Sequence, residues 1–501
     1  MIIFINWYNF IKNLHKFHNF TYENSIFADL KVITQDFEFS KFMYNSLKIL
    51  IILIPINFLL INCSENKTKI EISITGIKNR SVIIGYYYNN KMKPLDTIQI
   101  KNDSKGEIYR TSPLREGIYF IYLPNKTYFN FLIGDDQHFK IKTNLNDLVL
   151  SQKINGSIES EIFSEYQKIL TKEYHIIRTL KAKLSNLDKH SSQYNKVNSE
   201  IELAETRLNL KTDSIFSSIE NSFLKKILLL SKYSVFPPKN INRTHFFDNI
   251  NFNDERFLYT PYFTTNLDFY FKTVIDQNVD TLIAESNSII SKSDNKEIRK
   301  YLIKYFFNLA ATSKIPGIDA MIINMAENYY FSGEANWVDS AFLRKLKNKV
   351  TQLKFSTIGQ QAPDLLMETF DGQYARLSEV RAPLTILLFW DPGCGHCKLQ
   401  IPEIKKQIWD AYQNSGMKIF AVYTQAEKSV WIDFIEDYNL FDWINVYDPF
   451  FKTRFWYYYN IHSTPTYFVL DEEKKIIYKM DGDNFSIEKL TEIIDQELTT
   501  N

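Results

Sequence analysis

Cysteine is scarce in this chain: 501 residues hold three, at Cys63, Cys394 and Cys397. A scaffold stapled by several disulfides is therefore excluded. A protein with one working dithiol in an oxidising compartment gains by carrying no spare thiols to mispair. Glycine and proline are few as well, 14 of each, which argues against long disordered stretches. Neither sign of charge dominates. Lys+Arg 59 against Asp+Glu 58 leaves a net charge of +1, without the basic excess that nucleic acid requires.

A long apolar run is also missing near the start. Leu47–Ile61, LKILIILIPINFLLI, is broken by Pro55 and Asn57 and falls short of the ~20 apolar residues of a membrane-spanning helix. Lys41 and Lys48 supply a charged region before a short apolar one, the pattern of an export signal. Leu60-Ile61-Asn62-Cys63 then resembles a bacterial lipobox. That resemblance implies cleavage before Cys63, lipidation of its sulfur and a membrane anchor; the alternative is a signal anchor that is never cut. Met43 would open a compact charged region, so residues 1–62 are expected to be a targeting segment with its true start at Met43.

What is present falls into three patterns, a multi-domain α+β arrangement. From Lys69 the period is two, with Ile70, Ile72 and Ile74 alternating with polar residues. Similar runs recur to about residue 150, separated by turn signals such as Asn102-Asp103 and Gly134-Asp135. This predicts an antiparallel β-sandwich over 64–163, in which the lone His138 is structural. The period then changes: Ile177, Leu180, Leu184 and Leu187, and later Val197, Ile201, Ala204 and Leu208, recur at three and four. A helical hairpin and further helices are expected over 164–352, with no metal-ligand cluster among them.

The third pattern, over 353–501, carries chemistry. Leu384–Trp390 is a continuous apolar run suited to a strand covered on both faces. Cys394-Gly395-His396-Cys397 follows and opens a helical pattern with Gly416 as its C-terminal cap. A cysteine at a helix start meets free backbone N–H groups and the positive end of the helix dipole, which favour a thiolate. Such a thiolate attacks a disulfide, and the second cysteine resolves the mixed disulfide. Position 398 is Lys398, not the histidine that haem attachment requires, and no second ligand pair lies near in sequence for zinc. Neither a cofactor nor a metal is expected.

Trp390, the Cys-x-x-Cys, Pro402 five residues on, and Thr464-Pro465-Thr466 together resemble the thioredoxins. The prefix Ile358-Gly359-Gln360-Gln361-Ala362-Pro363-Asp364 is similar to that of TlpA-like reductases and also of peroxiredoxins. Pro392 lies two residues before Cys394, so the peroxidatic signature is missing. The resemblance implies a thiol–disulfide oxidoreductase with Cys394 and Cys397 as its redox pair. Trp390, Gly395, His396, Thr464 and cis-Pro465 would tune it or contact substrate. The front of the chain resembles that of thioredoxin-like envelope lipoproteins. This implies a membrane-anchored protein facing the periplasm of a Gram-negative-type bacterium, or its cell surface. Its partners would be protein disulfide clients and a membrane electron-transfer protein as thiol donor.

Two positions depart from the family. Leu388 stands where thioredoxins carry a buried acid, and Gln400 where TlpA-like reductases carry one, leaving Asp391 or water to accept the proton of Cys397. His396, if cationic, stabilises the thiolate and makes the pair more oxidising; otherwise it is an exposed loop residue. Net reduction is the expected direction. A disulfide oxidase or isomerase, and an envelope binding lipoprotein with an accessory redox domain, are the alternatives.

Overall fold

Ile70, Ile72 and Ile74 do lie inward on a strand, β1 (Thr68–Thr75), of the computed structural model, which describes residues 67–220, 222–235, 241 and 243–500. Cys63 and the targeting segment 1–62 lie outside the described residues. β1 is followed by β2 (Arg80–Tyr88), β3 (Lys91–Ile100), β4 (Lys105–Arg110), β5 (Gly117–Tyr122), β6 (Tyr128–Ile133), β7 (His138–Asn144) and β8 (Lys153–Asn155). They form two four-stranded sheets, ordered β4-β1-β7-β8 and β3-β2-β5-β6. Side chains from both sheets, among them Ile72, Ile84, Ile121, Phe131 and Ile141, share one buried cluster. Burying each such aliphatic residue contributes about 1.5–3 kcal/mol.

The expectation of purely antiparallel pairing needs correction. β1 is antiparallel to β4 but parallel to β7, with Ile70 opposite Phe139. The chain leaves the first sheet for β5 and β6 and returns to it running in the direction of β1. A parallel pair needs such a long crossover, and here the second sheet supplies it.

Ser157 caps the first long helix, α1 (Ile158–Leu184), its hydroxyl accepting from the Ser160 N–H. α2 (Ser192–Ser218) returns along it, and Ile177, Ala204 and Leu208 meet between the two. The helix breaks after Ser218. Ser222 restarts it, its hydroxyl 3.4 Å from the Lys225 N–H, as α3 (Phe223–Val235). Glu173, buried in the hairpin, accepts from Arg207 Nε at 2.8 Å and Lys211 Nζ at 2.6 Å. Burial alone would raise its pKa, but the two cations hold it below the ordinary value. Its contribution is thus complete above the unfolded carboxylate pKa and fades as pH falls through the lower folded one. Both cations are half exposed, so Glu173→Gln should cost about 1 kcal/mol in urea unfolding near neutral pH. The difference from the parent should shrink in acid.

α4 (Tyr262–Phe269), α5 (Val279–Ser291), α6 (Lys296–Thr312) and α7 (Asp319–Met325) complete an aromatic-rich core that also takes in Phe120 and Leu132 of the second sheet. α8 (Ser340–Phe355) then lies against the C-terminal part. Phe355 packs 5.1 Å from the Tyr458 ring, and Lys349 Nζ donates to Asn460 Oδ1 at 2.9 Å. Lys479 pairs with Asp319 nearby.

The C-terminal part is a seven-stranded sheet ordered β10-β9-β13-β12-β11-β14-β15. Its strands are β9 (Leu366–Thr369), β10 (Tyr374–Arg376), β11 (Thr385–Trp390), β12 (Lys418–Tyr423), β13 (Ile444–Tyr447), β14 (Thr466–Leu470) and β15 (Ile476–Asp481). Central β11 is buried along its whole length, parallel to β12 and antiparallel to β14. Ile386, Leu388 and Trp390 enter one core, Leu387 and Phe389 the other, which is why the run is continuously apolar. Helices α9 (Gly395–Ile404), α10 (Lys428–Asp437) and α11 (Ile487–Thr500) belong to this part. Pro402 sits inside α9, and the turn after it widens over Lys405–Trp409. Gly416 ends the segment at φ +87°, as its C-cap role requires. The architecture is therefore mixed α/β, with a helical middle region and a thioredoxin-like C-terminal domain.

Candidate active site

β11 delivers the chain to the site. Trp390 is fully buried at its end, its ring 4.8 Å from Phe434 and 6.1 Å from Tyr423, and its carbonyl accepts the Thr424 N–H at 3.0 Å. Trp390 therefore supports the site from below. Asp391 then forms a turn: its Oδ1 accepts from the Gly393 N–H at 2.7 Å and its carbonyl from the Cys394 N–H at 3.0 Å. Its carboxylate is thus engaged with the loop that presents the cysteines.

Cys394 is the N-cap residue of α9 and Cys397 lies one turn in. Both are free thiols, the first half-buried, the second fully buried. Across from them the Thr464-Pro465 peptide is cis, and Cys394 Sγ donates to the Thr464 carbonyl at 3.0 Å. The two sulfurs differ electrostatically. At Cys394 partial burial opposes ionisation. Hydrogen bonds from the Cys397 backbone, the Thr464 side chain, the Cys397 thiol and the His396 backbone outweigh it and lower the pKa. At Cys397 burial pushes the thiol up to about 12, only partly offset by a hydrogen bond from the Asp391 backbone.

Gly395 is exposed, with open space where a Cβ would stand, so backbone geometry makes no demand for glycine there. His396 is exposed too, and its Nδ1 lies 3.6 Å from Asp483 Oδ1. Beside the cis proline a cleft of about 240 Å³ opens between Ser463, Thr466 and Asn484 on one side and the 313–319 segment of the helical region on the other. Among the described residues no group of three His, Cys, Asp or Glu side chains could hold a metal ion. Nor is any helix among them long and apolar enough to cross a membrane.

The structure gives Gln400 its partners and adds Tyr467, Gly482 and Asp483, which the sequence did not single out. Gln400 Nε2 donates to the Gly482 carbonyl at 2.8 Å, and its Oε1 accepts from the Tyr467 hydroxyl at 2.9 Å. A Cβ on Gly482 would stand 2.7 Å from Pro465 Cδ, so this glycine lets the loop close on the proline ring. Gly482 and Asp483 give no signal in the sequence, because a Gly-Asp-Asn stretch between a strand and a helix reads as an ordinary turn. Tyr467 reads there only as a strand residue.

Residues 358–479 match the model of the AhpC/TSA family. The chain is 28% identical over 120 residues to the thioredoxin-like protein YneN of Bacillus subtilis, covering 23% of this chain and 66% of that protein. It is 22% identical over 126 residues to the thiol–disulfide oxidoreductase ResA of Bacillus cereus, covering 25% of this chain and 70% of that one. A crystal structure described as a domain of a possible thiol-disulfide isomerase from Cytophaga hutchinsonii shares 32% identity. That match covers 29% of this chain and 97% of the other, with a TM-score of 0.26. The C-terminal region of this chain is thus an AhpC/TSA-family domain of thioredoxin-like fold and belongs with the thiol–disulfide oxidoreductases.

Proposed function

We propose that the protein reduces disulfides of extracytoplasmic client proteins, with Cys394 as the attacking and Cys397 as the resolving thiol. The observation that carries this reading is the division of labour between the two sulfurs. One is partly accessible at a helix N-terminus, where hydrogen bonds lower its pKa; the other is fully buried. Cys394 Sγ attacks a client disulfide and the departing client sulfur leaves with the electron pair. Cys397 then displaces the client's second sulfur, leaving a Cys394–Cys397 disulfide and a client dithiol. Thr464 and Pro465 would receive an extended client segment beside Cys394. A membrane electron-transfer protein would return the pair to the dithiol.

The wider assignment follows the sequence. Residues 1–62 would target the chain to the envelope and Cys63 would carry the lipid that holds it at the membrane, facing the periplasm. The two sheets over 64–163 would form a β-sandwich and 164–352 a helical spacer, with 353–501 as the redox domain. Insulin-disulfide reduction that requires both Cys394 and Cys397 tests the activity; no reduction by the intact protein would refute it.

One observation favours a disulfide oxidase or isomerase instead. His396 lies between the two cysteines with its Nδ1 3.6 Å from Asp483 Oδ1, and an imidazolium at that position would stabilise the thiolate and hence the reduced state. Replacing His396 by alanine should then lower the reduction potential by roughly 10–30 mV, about 0.5–1.4 kcal/mol. Glutathione-equilibrium titration measures it, and an unchanged potential would remove the support for this second reading.

A further inference from the structure

Cys397 needs help that its surroundings do not visibly offer as a base. Resolution of the mixed disulfide joins Cys397 Sγ to Cys394 Sγ and breaks the Cys394–client bond. The client sulfur takes the electron pair and, in the end, the proton that Cys397 gives up. The groups that act on Cys397 are Cys394 at the start of its own helix, the Asp391 backbone just after β11, Thr464 before the cis proline and Tyr467 on β14. The Asp391 carboxylate holds the Gly393 N–H, and Asp483 lies at the rim with His396.

Gln400, one turn after Cys397 on α9, bridges two other elements. Its amide reaches the Tyr467 hydroxyl on β14 and the Gly482 carbonyl after β15. Tyr467 is fully buried in the core that holds Cys397, directly across the strand pair from Leu388. Gly482 in turn closes on Pro465. One side chain therefore ties the cysteine helix both to the strand that continues from the cis proline and to the loop that backs it.

We propose that Gln400 and Tyr467 are positioning residues for the resolving step, fixing the Cys397 helix against the cis-proline strand in place of a proton-accepting carboxylate. The inference rests on the dithiol-exchange reading above. Its consequence is that the brace sets geometry while solvent removes the proton. The resolving rate should rise in proportion to hydroxide through neutral pH, as expected for a thiol whose burial keeps it protonated.

Ellman's disulfide separates the two steps in one stopped-flow trace. Attack by Cys394 releases one thionitrobenzoate and resolution by Cys397 releases the second. Tyr467→Phe should slow the second release by about tenfold, the rate equivalent of one lost hydrogen bond, and Gln400→Ala, which loses two, by at least as much, with the first release within about twofold of the parent in both. Gln400→Glu keeps an acceptor for the Tyr467 hydroxyl but, when ionised, has no donor for the Gly482 carbonyl; titration of its carboxyl should therefore add an inflection to the pH profile of the second release, which a packing role alone would not produce. Retained near-ultraviolet circular dichroism qualifies each variant, and Tyr467→Phe serves if Gln400→Ala does not fold. The proposal is overturned if the second release is within about twofold of the parent in Tyr467→Phe, or if both releases slow together. It is equally overturned if Gln400→Glu leaves the profile without an added inflection. Failure of the underlying reading looks different, since the parent itself would then release fewer than two equivalents.

Discussion

Iodoacetamide at neutral pH should modify Cys394 and leave Cys397 untouched. Only a thiolate is alkylated, and a thiol pushed up to about 12 is ionised to about one part in 10⁵ at pH 7. Cys397 is also fully buried, so the reagent meets steric exclusion before it meets the sulfur. Cys394 is partly accessible, and its hydrogen bonds favour the charged form. The alkylation rates should differ by at least about a thousandfold in the folded dithiol protein and converge in denaturant. The pH profile of Cys394 should level off below the ordinary thiol range, because a lowered pKa means the thiolate is already formed there. Peptide mass spectrometry after timed quenching reads both rates; similar labelling of the two cysteines in the folded protein would undo the assignment of their roles.

Trp390→Ala should be among the most destabilising single changes in the C-terminal region, at about 3–5 kcal/mol. The indole is fully buried, packed on Phe434 and Tyr423, at the end of the strand that carries the chain into the Cys-x-x-Cys turn. Its removal leaves a cavity directly beneath Asp391 and the cysteines, so exchange activity should fall with stability. Trp390→Phe keeps most of the volume and should lose considerably less. Urea unfolding of the full chain in its dithiol form, followed by a probe confined to the C-terminal region, separates the two. A loss under about 1 kcal/mol for Trp390→Ala would mean that the tryptophan serves client contact rather than the core.

Much of the active site was legible because its signals are local. Six consecutive buried residues on β11, two cysteines three apart at a helix start, and Thr464-Pro465-Thr466 each announce themselves within a few positions. The brace was not legible, since Gln400 and Tyr467 lie 67 residues apart and neither residue type signals the other. Leu388 and Gln400 could be read only as places where an acid is lacking; what fills the gap is a tertiary fact. In the N-terminal sheets the limit was exposure. Lys91–Asp96 of β3 is exposed throughout and contains Pro94, so it offers no apolar alternation, and a register shift in β2 at Ile84/Gly85 accommodates it. The parallel pairing of β1 with β7 was hidden for another reason: strand periodicity fixes which face is buried but carries no information on direction.

Trapping tests the central claim most directly. Cys397→Ala and Cys394→Ala proteins, each produced as the full chain in a bacterium that exports it, are quenched in acid, purified under denaturing conditions without reductant and analysed for disulfide-linked partners. If Cys394 attacks and Cys397 resolves, Cys397→Ala should accumulate client proteins bonded through Cys394, and Cys394→Ala should accumulate none above the level of the double mutant. Equal trapping by the two variants, or trapping only through Cys397, would contradict the account.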